Sequence, residues 1–278
     1  MKILFKTLIF FAITIPAIAQ QQNELAIIPQ PTQLITGKST FNLNQQTIIS
    51  LPKENEHLEL IGLFSDQLSA LMNEKVKTGN TSRKNSISFV IKSGLVKEGY
   101  ELEVTKHKVT IGASDPSGWF YGWQTFMQLA RLNLKKNSSS LPVVKIKDEP
   151  KFAWRGLMVD VSRHFFAKEV LKRYIDQMAK YKFNVLHLHL TDNQGWRVEI
   201  KKLPKLTSIG AWRVPRTGYW SGMTAPEPNE ATNYGGFYSQ EDIKELVSYA
   251  KQRFVDLVPE IDLPGHSLAF VASYPEVS

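Results

Sequence analysis

The chain has 278 residues and no cysteine. That excludes a disulfide scaffold, a thiolate zinc site, an iron–sulfur cluster and a cysteine nucleophile. It also excludes a lipid anchor on a processed amino-terminal cysteine. After the first two dozen residues no apolar run reaches the roughly 18 residues of a membrane span. Clustered charge is lacking too. The formal net charge is +8, but the densest basic runs are only Lys135-Lys136 and Lys201-Lys202. A solvated surface is expected, and no nucleic-acid partner. No low-complexity tract or short repeat occurs. What is present is core material: 42% hydrophobic residues, including 15 Phe and 6 Trp, which excludes global disorder. The length predicts about two domains.

The amino terminus reads as an address. Lys2 and Lys6 precede an apolar run over residues 8–15, broken only by Thr14. Ala17-Ile18-Ala19 follows with the small-x-small pattern of a cleavage site. This predicts a signal peptide over residues 1–19 and export, to the exterior or a bacterial periplasm.

The next block, residues 24–148, reads as a small α+β domain. Leu58, Ile61, Leu68 and Leu71 fall on one helical face; Ile87, Phe89 and Ile91 alternate as in a half-buried strand. Tyr100, Leu102, Val104, Val109 and Ile111 alternate around Lys106-His107-Lys108, a hairpin. Asp115-Pro116 opens a helix, with Asp115 as N-cap and Pro116 at the first position. The Asn137-Ser138-Ser139-Ser140 stretch closes it. No catalytic constellation shows in this block.

Residues 150–278 read differently. Residues 157–161, 185–190 and 254–261 are strands. The first is mostly apolar, as in a strand covered on both faces. Val170, Leu171, Tyr174, Ile175, Met178 and Tyr181 share one face of the helix after it. Ser239 to Asp242 is a capping box before the next helix. The βα-βα-β order implies a parallel sheet. In such sheets the active site lies at the carboxyl ends of the strands. Those ends read Ser162-Arg163-His164-Phe165, Thr191-Asp192-Asn193-Gln194-Gly195-Trp196-Arg197 and Glu260-Ile261-Asp262-Leu263-Pro264-Gly265-His266. The connection after the second strand runs about 48 residues, against roughly 2–6 for an ordinary βα loop. It carries Trp196, Trp212, Tyr219, Trp220 and Tyr234, which suit either the faces of a sugar ring or packing of the insertion on itself. His187-Leu188-His189 places two imidazoles on one strand face, either a metal-ligand spacing or a polar layer inside a barrel.

These segments resemble family-20 glycoside hydrolases, the β-N-acetylhexosaminidases. The carrying stretches are Trp154-Arg155-Gly156-Leu157-Met158-Val159-Asp160-Val161-Ser162-Arg163-His164-Phe165, His187-Leu188-His189-Leu190-Thr191-Asp192-Asn193-Gln194-Gly195-Trp196-Arg197 and Pro259-Glu260-Ile261-Asp262-Leu263-Pro264-Gly265-His266. Tyr238-Ser239-Gln240-Glu241-Asp242-Ile243 and Tyr121-Gly122-Trp123-Gln124-Thr125 also fit. Asn193 departs from the second Asp of many relatives.

The resemblance implies an α/β domain followed by a (β/α)8 TIM barrel, here incomplete with about three strands. It implies hydrolysis of terminal N-acetylglucosamine or N-acetylgalactosamine with retention, the substrate's acetamido oxygen acting as nucleophile. Expected partners are glycans ending in N-acetylhexosamine, or chitin and peptidoglycan fragments. No cofactor and no metal is implied. Arg163 would contact sugar hydroxyls. Asp192 and His266 would bond to each other and support the catalytic Glu. Glu260, Asp262 and Trp196 would be supporting groups, and Asp160 structural.

The family's Asp-Glu pair at the fourth strand end has no counterpart here. Asp148-Glu149 precedes the barrel, and Glu241-Asp242 opens a helix in reversed order. The 278 residues alone are therefore expected to be inactive, and prone to aggregation through open sheet edges. Two other readings remain open at this stage: a non-catalytic sugar-binding protein, and a metal-dependent barrel hydrolase.

Overall fold

The computed structural model describes residues 25–50, 57–79, 84–134, 139–216 and 225–277. The expected leader, and Tyr219 and Trp220, lie outside the described residues. The first region comprises β1 (Gln33–Asn42), β2 (Ile48–Ser50), α1 (Leu58–Met72), β3 (Lys77–Thr78), β4 (Ser86–Ile91), β5 (Tyr100–Val104), β6 (Lys108–Ala113), α2 (Pro116–Leu134) and β7 (Ser140–Asp148). Its seven strands form one sheet in the order β1-β7-β5-β6-β4-β2-β3. The hairpin stands as expected, with Tyr100 opposite Ala113 and Val104 opposite Val109. Strands β1 and β7 were not foreseen. They pair antiparallel across about a hundred residues of chain.

Helix α2 is buried almost all round, which fits an element with neighbours on both sides. Asp115 caps it, its Oδ1 accepting from the Gly118 N–H at 3.1 Å. Gly118 and Gly122 let it lie flat on the sheet. A Cβ on Gly118 would stand 2.4 Å from the Gly99 carbonyl oxygen, and one on Gly122 2.6 Å from Ile111. Beside it Phe64 of α1 stacks between Phe89 at 5.0 Å and Trp123 at 4.7 Å. The indole N–H groups of Trp119 and Trp123 donate to the Val90 carbonyl and to Gln67, so these rings are buried without an orphaned donor.

The second region continues with β8 (Gly156–Asp160), α3 (Lys168–Lys180), β9 (Val185–His189), β10 (Thr191–Asp192), β11 (Gly195–Trp196), α4 (Lys205–Ser208), β12 (Trp212–Arg213), β13 (Tyr234–Gly235), α5 (Gln240–Lys251), β14 (Asp256–Glu260) and α6 (Leu268–Ser273). Strands β14, β9 and β8 form a parallel three-stranded sheet with β9 in the centre. This is part of a TIM barrel. The capping box on α5 is present with both reciprocal bonds. Lys168 of α3 ties to Asp242 and Glu245 of α5 at 2.6 Å each.

Two expectations need correction. Strand β8 is not covered on both faces: Met158 is 53% exposed and Leu157 38%. It lies at one edge of the described sheet, with β9 as its neighbour on the other side. On α3, Leu171, Ile175 and Met178 are buried, but Tyr174 and Tyr181 are half-exposed. An apolar ring with a polar tip covers the margin of a core as readily as its centre.

The two regions are joined at the base of the strands. Lys182 and Phe254 occupy the helix-to-strand turns before β9 and β14, both at left-handed φ, +63° and +56°. Glycine is the usual residue there. Here each position carries a side chain that plugs into the first region. The buried Lys182 ammonium bonds to the Tyr100 hydroxyl and to Asp148, at 2.8 Å each, and Phe254 packs on Phe120. Arg155 adds an ion pair to Glu98 at 2.6 Å.

Candidate active site

The parallel register places Asp160, His189 and Glu260 in one row at the carboxyl ends of the three strands. Side chains in one row of a sheet point to the same face. The loops that follow add Arg163, Asp192 and His266 to this row.

Asp192 is the hub, with a fully buried side chain. Its Oδ2 lies 2.6 Å from Arg163 Nη2, 2.9 Å from His189 Nε2 and 3.1 Å from His266 Nδ1. Its Oδ1 accepts from the Asn193 backbone N–H at 2.6 Å. Burial pushes the Asp192 carboxyl up. The Asn193 N–H, His189, Arg163 and His266 outweigh that and hold it below the usual carboxylate value. His266 itself sits at φ +56°, a conformation uncommon for a residue with a Cβ. It remains half-exposed beside its buried partner.

Arg163 is set from two sides. Asp160 Oδ2 accepts from its Nη1 at 2.7 Å, and Asp192 pairs with Nη2. Asp160 also turns the chain after β8, its Oδ1 accepting from the Ser162 and Arg163 N–H groups. It therefore shapes the loop that carries Arg163.

Glu260 Oε2 lies 2.6 Å from His187 Nε2 and 3.2 Å from His189 Nδ1. Burial raises the Glu260 carboxyl, but the His189 hydrogen bond and both imidazoles bring it below its ordinary value. The two histidines of the H-x-H segment thus do share one face, and their common neighbour there is Glu260. Asp262 joins through its backbone, its N–H donating to Thr191 Oγ1 at 3.0 Å. Its carboxylate stands with His189 and Glu260, their reactive atoms within 4.8 Å of one another.

Trp196 is a core residue rather than a wall of the site. It is 3% exposed, packs with Leu206 and Ala269, and donates its indole N–H to the Val198 carbonyl. Of the other connection aromatics, Trp212 is partly exposed and Tyr234 hydrogen-bonds His164.

Arg197 was quoted in the motif without a role. It is fully buried, and its guanidinium donates to the carbonyl oxygens of Val161, Ser162, Gln194, Ala211 and Gly236. One side chain thereby ties together the loop bearing Arg163, the Asp192 turn, and the middle and far end of the long connection. Gly195 makes room for it, since a Cβ there would stand 2.2 Å from the guanidinium carbon. Burial, then Arg213, pushes the Arg197 guanidinium down to about 10, so it stays charged at neutral pH.

The comparisons with known proteins agree along both regions. Residues 152–278 match the glycosyl hydrolase family 20 catalytic domain, and residues 24–149 match domain 2 of that family. A "Beta-hexosaminidase" of Porphyromonas gingivalis is 37% identical over 270 residues, covering 94% of this chain and 33% of that protein. An "N,N'-diacetylchitobiase" of Vibrio harveyi is 36% identical, covering 92% of this chain and 29% of the relative. The chain thus spans about a third of the length of these relatives. Among solved structures, a Streptomyces plicatus beta-hexosaminidase mutant in complex with product (GlcNAc) superposes with a TM-score of 0.78 at 34% identity, covering 91% of this chain and 48% of that one. A Vibrio harveyi exo beta-N-acetylglucosaminidase in complex with N-acetylglucosamine gives 0.77 at 31% identity, covering 90% and 38%. Fold, strand-end residues and both matched segments place this chain in glycosyl hydrolase family 20.

Proposed function

We propose that this chain supplies the sugar-recognition end of a β-N-acetylhexosaminidase acting on terminal N-acetylglucosamine or N-acetylgalactosamine. The observation that carries this reading is the Arg163–Asp192–His266 cluster at the carboxyl edge of three parallel strands. A guanidinium whose plane is fixed by two carboxylates can offer a rigid fork to vicinal sugar hydroxyls. His266, anchored to Asp192 through Nδ1 at 3.1 Å, keeps its other ring nitrogen for a general acid contributed by other residues. In the proposed reaction the acetamido oxygen attacks the anomeric carbon as the glycosidic C–O bond breaks. The general acid gives its proton to the leaving oxygen. Water then opens the oxazolinium ring with net retention, the same carboxylate taking a proton from it.

These 278 residues hold no Asp-Glu pair after β8, β9 or β14; Asp148-Glu149 ends β7 of the first region instead. The proposal assigns them binding and support, with the acid contributed by other residues of the enzyme. Export by the leader at residues 1–19 would bring the site to extracellular or periplasmic glycans, such as chitin oligomers or peptidoglycan fragments. The test is an aryl N-acetyl-β-glucosaminide and free N-acetylglucosamine presented to the purified chain. Sugar binding that disappears in Arg163→Ala, without chromophore release, is expected. Turnover by the 278 residues would overturn the division of roles. Binding unaffected by Arg163→Ala would overturn the site.

A further inference from the structure

Sugar recognition leaves His189 without a task, although it sits at the middle of the site. Its Nε2 lies 2.9 Å from Asp192 Oδ2, and its Nδ1 lies 3.2 Å from Glu260 Oε2. An ionised carboxylate only accepts hydrogen bonds, and a neutral imidazole carries a single N–H. A neutral His189 would therefore aim one nitrogen lone pair at an anion. Both contacts are attractive only when both ring nitrogens bear protons.

One competing donor must be weighed. Arg163 Nη1 lies 3.1 Å from His189 Nε2 and could donate to it. Nη1 carries two N–H groups, and one goes to Asp160 Oδ2 at 2.7 Å. A neutral His189 accepting the other would still set its Nε2 lone pair 2.9 Å from the Asp192 Oδ2 anion. The local charge also favours a second cation. Asp160 from β8, Asp192 after β9, and Glu260 and Asp262 from the β14 side bring four carboxylates to the cluster. Arg163 is the fixed cation facing them. The remaining titratable neighbours are His187, on the same strand and bonded to Glu260, and His266, reached through Asp192.

We propose that His189 is a standing imidazolium, clamped between Asp192 and Glu260, and that it acts as a positioning residue for His266. With His189 and Arg163 both directed at Asp192 Oδ2, that oxygen stays an anion and accepts from every neighbour. His266 must then present Nδ1–H to it, which fixes the tautomer and turns Nε2 away from Asp192. Glu260 is the second jaw of the clamp. Burial works against the charge on His189, and the Asp192 and Glu260 hydrogen bonds overcome it, lifting the imidazole above its ordinary value. The effect on a general acid rests on the reading above; the charge state of His189 does not.

The experiment is a pH titration of the imidazole nitrogens by 15N NMR in the full chain, with Glu260→Gln and Glu260→Asp beside it. Both ring nitrogens of His189 are expected to stay protonated through neutral pH. Glu260→Gln, alike in shape but uncharged, should lower the His189 midpoint by about one pH unit or more, the scale of a neighbouring-charge effect. Glu260→Asp should restore part of it. A Glu260 with a merely structural role would leave the midpoint in place. A neutral His189 at pH 7, or a midpoint unmoved in Glu260→Gln, would overturn the proposal. So would added Zn2+ displacing the Nδ1 proton, which would make that nitrogen a ligand instead. N-acetylglucosamine titrated into the same samples separates the two readings. Loss of sugar binding with His189 still charged sinks the sugar site alone, and a neutral His189 with sugar bound sinks this inference alone.

Discussion

The two regions of the molecule are stabilised by different chemistry. In the first, rings are stacked against a sheet, and Phe64, Phe89, Trp119 and Trp123 fill one continuous apolar layer. In the second, the carboxyl edge of the sheet is bound by charge. Asp192 meets three cationic or imidazole groups, and Arg197 gathers five carbonyl oxygens. A ring-packed interior answers to volume and hardly to pH. An edge tied by protonatable groups answers to pH and to hydrogen-bond geometry. The difference teaches that this chain keeps its rigid apolar mass away from its charged rim and joins the two regions at the strand bases.

The comparison can be broken most severely in the ring layer. Phe64→Ala should cost about 4 kcal/mol by opening a cavity, measured by denaturant unfolding, while the pH dependence of stability stays unchanged. Arg197→Met should cost about 3 kcal/mol, because it strands buried carbonyls. Unlike Phe64→Ala, it should also abolish sugar binding by releasing the Arg163 loop. Ser239→Ala removes half of the capping box on α5 and should cost about 1 kcal/mol, leaving sugar binding intact.

A pH series sharpens the contrast last. Lys168, then Ser239, hold the Asp242 carboxyl down at about 2. A depressed acid contributes stability present above its unfolded value, near 3.8, and lost as pH falls through about 2. His189 has the opposite sign. Its raised value contributes stability that is full below about 6.5 and is lost as pH rises through the folded-state midpoint. Thermal melts should therefore show an alkaline loss that Glu260→Gln diminishes and an acid loss that Asp242→Asn diminishes. Identical profiles in the variants would contradict the assignment.

Local signals in the sequence carried well. The β5–β6 hairpin, the Asp115 cap and the Ser239 box each depend on residues a few positions apart, and each stands as expected. Topology brought the three strand-end segments together, and the family resemblance singled out Arg163, Asp192 and His266 among their residues. What was hidden depends on distant pairing. The β1–β7 ladder joins segments a hundred residues apart, and β1 carries Gly37, Lys38 and Ser39 in an exposed stretch with weak alternation. The His189–Glu260 contact needed the register between strands. Aligning the three strands by their last residues would have exposed it, since Asp160, His189 and Glu260 then fall in one row. Arg197 gave no charge-pair signal, because its partners are carbonyls, which every residue possesses.

The side chains at the two left-handed turns have a longer reach than their contacts. Lys182 and Phe254 lie two or three residues before β9 and β14, and each of those strands is five residues long. A strand is a stiff spacer of about 3.3 Å per residue, so the height at which its base is docked fixes the height of its tip. The first domain therefore acts as a jig for the rim. Its grip on two turns sets the level at which His189 and Glu260 meet, some five residues above the docking surface.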